Sequence, residues 1–299
     1  MSKEICVYMP TKEKNGFFNR VVVHNLSKEL AQNKKISKVH LVDINKCSIV
    51  NGSVFYGDLD ITKTDLFFWY AKGMGKRLSI LQALANNIRV ITDPHTFSIV
   101  NDKLKAHGKL RSLGIDVSEY ALVAYDNFDM MKSILNDWKT LVIKPRQGSY
   151  GRGIIKIDDF DTLRDVAGLL EMQARKKFVF VEKFYPHTLE DWVSVVVVNF
   201  KALYGYRKKE VKFTDWKVFD VYKEGGSATE AEIEDVRNIA ENAAKALDAR
   251  IICFDILKTE DGYKIIDENN FPGLYESILE NHKTTVAKVF ADLIDKALA

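Results

Sequence analysis

The stretch Val142-Ile-Lys-Pro-Arg-Gln-Gly-Ser-Tyr-Gly-Arg-Gly153 decides the reading of this chain. It reads as a buried strand ending in Lys144-Pro145, then a loop with Gly148, Gly151 and Gly153, then a second strand from Gly153 to Ile157. Glycines at this density let backbone N–H groups close on an anion without side-chain obstruction. A lysine at the strand end beside such a loop is a ready phosphate contact. P-loops and Rossmann loops both lead into a helix. Here a strand follows, so the loop is a hairpin flap. A glycine-rich surface hairpin with a solvated lysine is the plain alternative.

A second region shifts the balance. Ile251-Ile-Cys-Phe-Asp-Ile-Leu257 and Tyr263-Lys-Ile-Ile-Asp-Glu-Asn-Asn-Phe-Pro-Gly273 flank the turn Glu260-Asp261-Gly262 and read as an antiparallel hairpin. Asp255 interrupts the first apolar run, and a charge there needs a partner. Asp267 and Asn269 are two apart, so they share a strand face, with Glu268 on the other. Three oxygen-bearing side chains on adjacent strands suit a hard cation whose remaining ligands are phosphate oxygens. The alternative is a polar strand end with its acids in solvent.

Together these regions resemble the ATP-grasp superfamily, and its branch of glutathione synthetases and ligases that add glutamate to ribosomal proteins. The resemblance runs from about Asn101 to Gly273. It implies an α/β (α+β) fold, in which ATP lies between two α+β subdomains after an N-terminal parallel α/β domain. Asn101-Asp102-Lys103 looks like the element whose lysine contacts ATP phosphates. Lys144 resembles the second phosphate lysine, and Gly148, Ser149, Tyr150 and Gly151 the flap beside it. Phe178-Val-Phe-Val-Glu-Lys-Phe184 looks like the strand and hinge that hold adenine, around Glu182, Lys183 and Phe184. Asp191 stands where the family places an acid near the ribose. Asp255, Asp267 and Asn269 match the metal ligands of the D…E-x-N-x-x-P-G pattern, which implies Mg²⁺, with Mn²⁺ as the alternative.

Three departures stand out. Asp267 replaces the usual glutamate. The arginine expected two residues after Asp191 is Val193. Phe219 and Val221 fall where an arginine and an asparagine are expected before Gly225-Gly226. Lys217, two residues before Phe219, is the candidate to replace that arginine. Arg207 and Lys217 are the candidate catalytic cations, to hold a substrate carboxylate or stabilise an oxyanion. The plain alternative for both is a solvated strand surface.

The resemblance implies an ATP-dependent carboxylate–amine ligase that forms an amide through an acylphosphate and releases ADP and phosphate. Its partners would be ATP, a carboxylate and an amine. A non-catalytic ATP-binding relative and an ATP-grasp kinase are the other readings.

Composition fits an ordinary globular enzyme. The 299 residues are 46% hydrophobic, and 44 Lys plus Arg against 41 Asp plus Glu give a formal charge of +3. Nothing in that balance calls for nucleic acid or a membrane. Cys6, Cys47 and Cys253 are far apart and read as reduced residues of a cytoplasmic protein. No signal-peptide or membrane-spanning run is apparent. The apolar N-terminal elements would allow a homo-oligomer.

Three parts are expected: 1–95, an alternating strand–helix unit; 96–180, with the flap; and 181–299, with the metal site. In the first, the Pro10 to Gly16 turn carries Lys12, Lys14 and Asn15, which would meet an acidic substrate. In the third, Thr229 to Leu247 reads as a helix with a Thr229–Glu232 capping box. A final helix is expected over Glu276 to Leu298. The aromatics Phe213, Trp216, Phe219 and Tyr222 either shape an acceptor site or pack as core.

Overall fold

The computed structural model describes residues 2–9, 18–71, 77–148, 151–174, 177–209, 216–218 and 227–299. Outside the described residues lie the expectations for the Pro10 to Gly16 turn and its Lys12, Lys14 and Asn15. The flap residues Ser149 and Tyr150, and Phe213, Phe219, Val221 and Tyr222, lie outside them too.

β1 (Lys3–Tyr8) has four consecutive buried residues, Ile5 to Tyr8. Such a run belongs inside a parallel sheet covered on both faces. α1 (Arg20–Ala31) follows; Asn19 caps it by accepting the Val22 N–H at 3.1 Å, and Val23, Leu26 and Leu30 form its buried stripe. β2 (Ile36–Val42) pairs parallel with β1. β3 (Ser48–Val50), β4 (Ser53–Tyr56) and β5 (Leu59–Asp60) make a small antiparallel sheet. Its strands are too short to show a period, so the sequence reading passed over it. β6 (Leu66–Phe68), α2 (Leu78–Ala85) and β7 (Arg89–Ile91) complete a parallel sheet of order β2-β1-β6-β7. The expected α/β unit is therefore present.

α3 (Pro94–Val100), capped by Asp93, leads to α4 (Lys103–Ser112), which begins at the expected lysine. β8 (Tyr120–Ala124), α5 (Phe128–Trp138), β9 (Leu141–Ile143), β10 (Ile155–Ile157), α6 (Phe160–Ala174) and β11 (Phe178–Lys183) follow. Their strands form an antiparallel sheet of order β10-β9-β11-β8. Met131 and Leu135 of α5, and Leu163 and Ala167 of α6, cover one face of it. Residue 180 lies inside β11, which is paired on both sides within this sheet.

β12 (Trp192–Val198), β13 (Lys201–Lys209), β14 (Ser227–Ala231), α7 (Glu234–Leu247), β15 (Ile251–Thr259) and β16 (Gly262–Asn269) build the next unit. Its five strands run antiparallel in the order β14-β13-β12-β15-β16. Here one expectation is corrected. Thr229 does not cap a helix but lies in β14 opposite Arg207, and α7 starts only at Glu234. Pairing with β13 satisfies the backbone that a longer helix would have used. Gly205 makes room for the crossing chain: a Cβ there would stand 2.0 Å from Ile233 Cγ2. Val236, Ala240, Ala243 and Leu247 form the buried stripe of α7.

The expected final helix is two helices, α8 (Glu276–Asn281) and α9 (Val286–Leu298). Lys283, at φ +53°, breaks the run, and Thr285 caps α9 by accepting the Lys288 N–H at 3.2 Å. α9 returns to the first sheet, where the Phe290 ring lies 5.6 Å from Phe18, 5.1 Å from Phe68 and 4.9 Å from Tyr70. Among the described residues no helix is long and apolar enough to cross a membrane.

Candidate active site

Register places the two aspartates. Asp255 of β15 lies opposite Asp267 of β16, and Cys253 lies opposite Asn269. Alternation puts Asp255, Asp267 and Asn269 on one face. A bulge follows at once: Ile256 pairs with Ile265, leaving Ile266 as the extra residue. The Ile266 carbonyl accepts from Lys144 Nζ at 3.2 Å. Across the sheet, Ser194 lies opposite Asp255 and donates to Asp255 Oδ1 at 2.5 Å, and Lys208 Nζ lies 3.2 Å from Asp255 Oδ2. Lys208 also stands over the Trp192 ring, 3.6 Å from its centre.

The two expected phosphate lysines converge on this face from different elements. Lys103, the first residue of α4, places Nζ on Asp267. Its N–H donates to the Arg146 carbonyl at 3.0 Å, and Arg146 Nε donates to Asp102 Oδ1, also at 3.0 Å. The start of α4 is thereby tied to the chain that leaves Lys144. Lys144 Nζ lies 2.7 Å from Glu182 Oε2, which also accepts from Ser118 Oγ at 2.6 Å. Burial opposes ionisation of both Asp267 and Glu182, yet Lys103 and Lys144 hold their carboxyls below the ordinary range. Burial likewise works against the Lys103 ammonium, and Asp267 outweighs it, raising its pKa.

The glycine hairpin has the backbone its sequence demands. Gly151 and Gly153 adopt φ of +69° and +73°, and a Cβ on Gly153 would lie 2.9 Å from Pro145 Cγ. Lys217 Nζ donates to the Ile154 carbonyl at 2.9 Å, tying its segment to the rim of the flap. The Trp216 ring meets Phe184 edge-on at 6.1 Å, and Lys156 Nζ lies 4.9 Å from the Phe184 centroid. Within the hinge, the Lys183 and Phe184 N–H groups donate to Glu119 and Thr140 carbonyls at 2.8 and 3.0 Å. A small cavity of about 100 Å³ joins the end of α3, Lys103, Gly148 and Asn269.

Two expected residues are not brought into this cluster. Arg207 is on the opposite face of β13 from Lys208, and its Nε donates to the Glu190 carbonyl at 3.2 Å. Strand alternation puts it off the Asp255 face. Asp191 closes a local turn: its Oδ2 accepts the Thr188 N–H and hydroxyl, each at 2.8 Å, and these bonds keep its pKa low. Lys208, Ser194 and Ser118, which the sequence did not single out, also touch the carboxylates of this cluster. The sequence showed Arg207-Lys208-Lys209 as one basic run, and only the register with β12 and β15 selects Lys208.

The Pro272–Gly273 segment after β16 is held from two sides. The Tyr70 hydroxyl donates to the Pro272 carbonyl, and the Tyr204 hydroxyl donates to the Gly273 carbonyl at 3.1 Å. Phe271 packs beside Trp69 and Tyr70, with ring centres at 4.9 and 5.1 Å. The first sheet therefore reaches the end of the strand that bears Asp267.

The donor set fits the groups the resemblance implies. Two carboxylates and an amide oxygen are hard donors suited to a divalent cation, with phosphate oxygens completing its shell. Among the described residues no three His, Cys, Asp or Glu side chains cluster to hold a metal unaided. Three ammonium groups on the same face suit a polyphosphate.

The architecture is that of an ATP-grasp enzyme, and comparison with known proteins makes the chain an ATP-dependent carboxylate–amine ligase of that kind. The RimK-like ATP-grasp domain model matches residues 100–294, and the chain belongs to that family. A probable alpha-L-glutamate ligase of Maridesulfovibrio salexigens is 26% identical over 65% of this chain, a match that spans 62% of that relative's length. Another, from Coxiella burnetii (strain Dugway 5J108-111), is 21% identical over 93% of this chain and 95% of its own. A RimK domain ATP-grasp protein of Sphaerobacter thermophilus DSM 20745 superposes with a TM-score of 0.70 at 16% identity, covering 96% of this chain and 98% of its own.

Proposed function

We propose that this ligase activates a substrate carboxylate as an acylphosphate and joins it to an amine, with Mg²⁺ as its metal. The observation that carries the reading is the placement of Asp255 opposite Asp267, each with a lysine ammonium against it. The relatives named alpha-L-glutamate ligases point to an amino-acid or peptide substrate pair of glutamate type. The division into 1–95, 96–180 and 181–299, and a cytoplasmic location, belong to the same proposal.

Asp255, Asp267 and Asn269 would hold the metal, which when bound neutralises charge on the phosphate oxygens. Lys103 and Lys144 then leave their carboxylates for the nucleotide phosphates. Lys208, in the place first given to Arg207, faces the oxygen charge that builds as the terminal phosphoryl group moves. The substrate carboxylate oxygen bonds to phosphorus as the bond to ADP breaks. The amine next attacks the acyl carbon, phosphate departs, and the nitrogen gives up a proton. The flap around Gly148 to Gly153, its rim tied by Lys217, covers the acylphosphate against water. Glu182, Lys183 and Phe184 line the adenine end.

The test is ADP release with Mg-ATP against pooled amino acids and short peptides, followed by mass spectrometry. A product equal to two components less water confirms the ligase and names its substrates. A phosphorylated product that accumulates without an amine overturns amide formation. Lys144→Ala and Asp255→Ala should each abolish release, and normal turnover in either refutes the assigned site.

A further inference from the structure

Directly behind the Lys103–Asp267 contact lies a histidine–carboxylate pair that the reaction does not use. His107, one turn after Lys103 on α4, is 0% exposed, and its Nε2 lies 3.2 Å from Oε1 of Glu268, the residue after Asp267. The Glu268 side chain is also fully buried. The Tyr120 and Phe180 rings flank the imidazole at 5.7 and 6.5 Å. Neither ring nitrogen and neither carboxylate oxygen has a hydrogen-bond partner among the described residues, so the 3.2 Å approach is all that joins the two side chains. A buried ion pair held by one contact adds little to stability, and apolar residues of similar size often do as well. Its value must lie in alignment.

We propose that His107 and Glu268 are a positioning pair that keeps α4 registered on β16 while Lys103 and Asp267 part. This rests on the reading of Lys103 as a phosphate lysine and Asp267 as a metal ligand. β16 is the edge strand of its sheet, and α4 lies along it, so two successive residues of the strand reach two residues one helical turn apart. Loading the site takes Asp267 to the metal and Lys103 to the phosphates, which removes the outer of the two links. The inner link, sealed from water, remains. Without it the start of α4 is free to drift just when Lys103 must be placed.

The test compares His107→Leu, Glu268→Leu and the double variant with the unaltered protein, by melting temperature and by calorimetric Kd for Mg-ATP without an acceptor. Each single change strands one buried ionisable group, so both should melt earlier, and the double change should recover most of the loss. All three should bind Mg-ATP about tenfold more weakly, in the range of coupling between neighbouring groups. A double variant with unaltered melting and unaltered Kd overturns the proposal, because the pair would then be packing alone. Should the leucine variants not fold, His107→Gln keeps a donor toward Glu268 and should bind within about threefold of the unaltered protein, a difference under 1 kcal/mol. Loss of binding in His107→Gln at unchanged melting also overturns it. Lys144→Ala is the control for the underlying site. If it loses Mg-ATP while the leucine variants do not, the site stands and the positioning pair falls. If the unaltered protein binds no Mg-ATP, both fall.

Discussion

Lys208 and Asp255 meet on the inner face of the five-stranded sheet, Nζ to Oδ2 at 3.2 Å, while Arg207 turns to Glu190 on the other face. One residue of offset thus separates a cation on the Asp255 face, the proposed reaction centre, from one on the opposite face. Lys208→Met should lower the rate of ADP release about a hundredfold or more, the usual effect of losing one group that stabilises developing charge. Arg207→Ala should stay within about twofold, as surface changes usually do. Steady-state release by both variants checks this, and the reverse order of effects would show the face to be misassigned.

The flap depends on a conformation closed to side chains. Gly153 combines φ +73° with a Cβ position 2.9 Å from Pro145 Cγ. Gly153→Ala should cost about 1 kcal/mol of backbone strain and also displace Pro145, which follows Lys144 directly. The expected signature is a KM for ATP raised several-fold with a melting temperature only slightly lower. An unchanged KM would free the flap from the phosphate role.

Gly205 answers to packing. A methyl there would meet Ile233 Cγ2 at 2.0 Å and the Ala231 carbonyl at 3.2 Å. Gly205→Ala should destabilise by about 1–3 kcal/mol through overpacking, seen as an earlier midpoint in denaturant at constant slope. Gly205→Ala combined with Ile233→Val should regain part of it.

Acid sensitivity should trace in part to Glu241. It lies in α7 and accepts from the Ala202 N–H at 3.1 Å and Lys201 Nζ at 2.8 Å, close to the β12–β13 turn. Burial resists its ionisation, but Lys201 and the Ala202 N–H prevail and hold its pKa below the ordinary 4.5. With the folded value lower than the unfolded one, its contribution is complete above pH 4.5 and fades as pH falls through the folded value. Glu241→Gln should therefore be less stable at neutral pH, by about 1 kcal/mol for the weakened bond. The gap should close in acid, and one that stayed constant with pH would remove Glu241 from the account.

Much of the fold was legible because it rests on period and punctuation. The buried run of β1, the glycine hairpin and the stripe of α7 each announce themselves locally. Asp255, Asp267 and Asn269 were singled out as well, since a carboxylate inside an apolar strand demands a partner, and register sets the two aspartates opposite each other. What escaped was set by pairing between distant segments. Ser227 to Ala231 carries a helix-start signal, and only β13 alongside it makes it a strand. The choice among Arg207, Lys208 and Lys209 turns on register, which no one strand contains. Nothing in the sequence around His107 points to Glu268, and only the packing of α4 on β16 brings the two together. The break at Lys283 follows from α9 being drawn back to the first sheet.

That return of α9 has a consequence for how the chain is made. The rings of Phe18, Phe68 and Tyr70 rest on Phe290, far downstream in the order of synthesis. A ribosome delivers the first sheet early, with one flank still bare, and the cover arrives only after both later sheets have been translated. The nascent first sheet is then a sticky surface that a holding chaperone would recognise, and completion of the protein would release it.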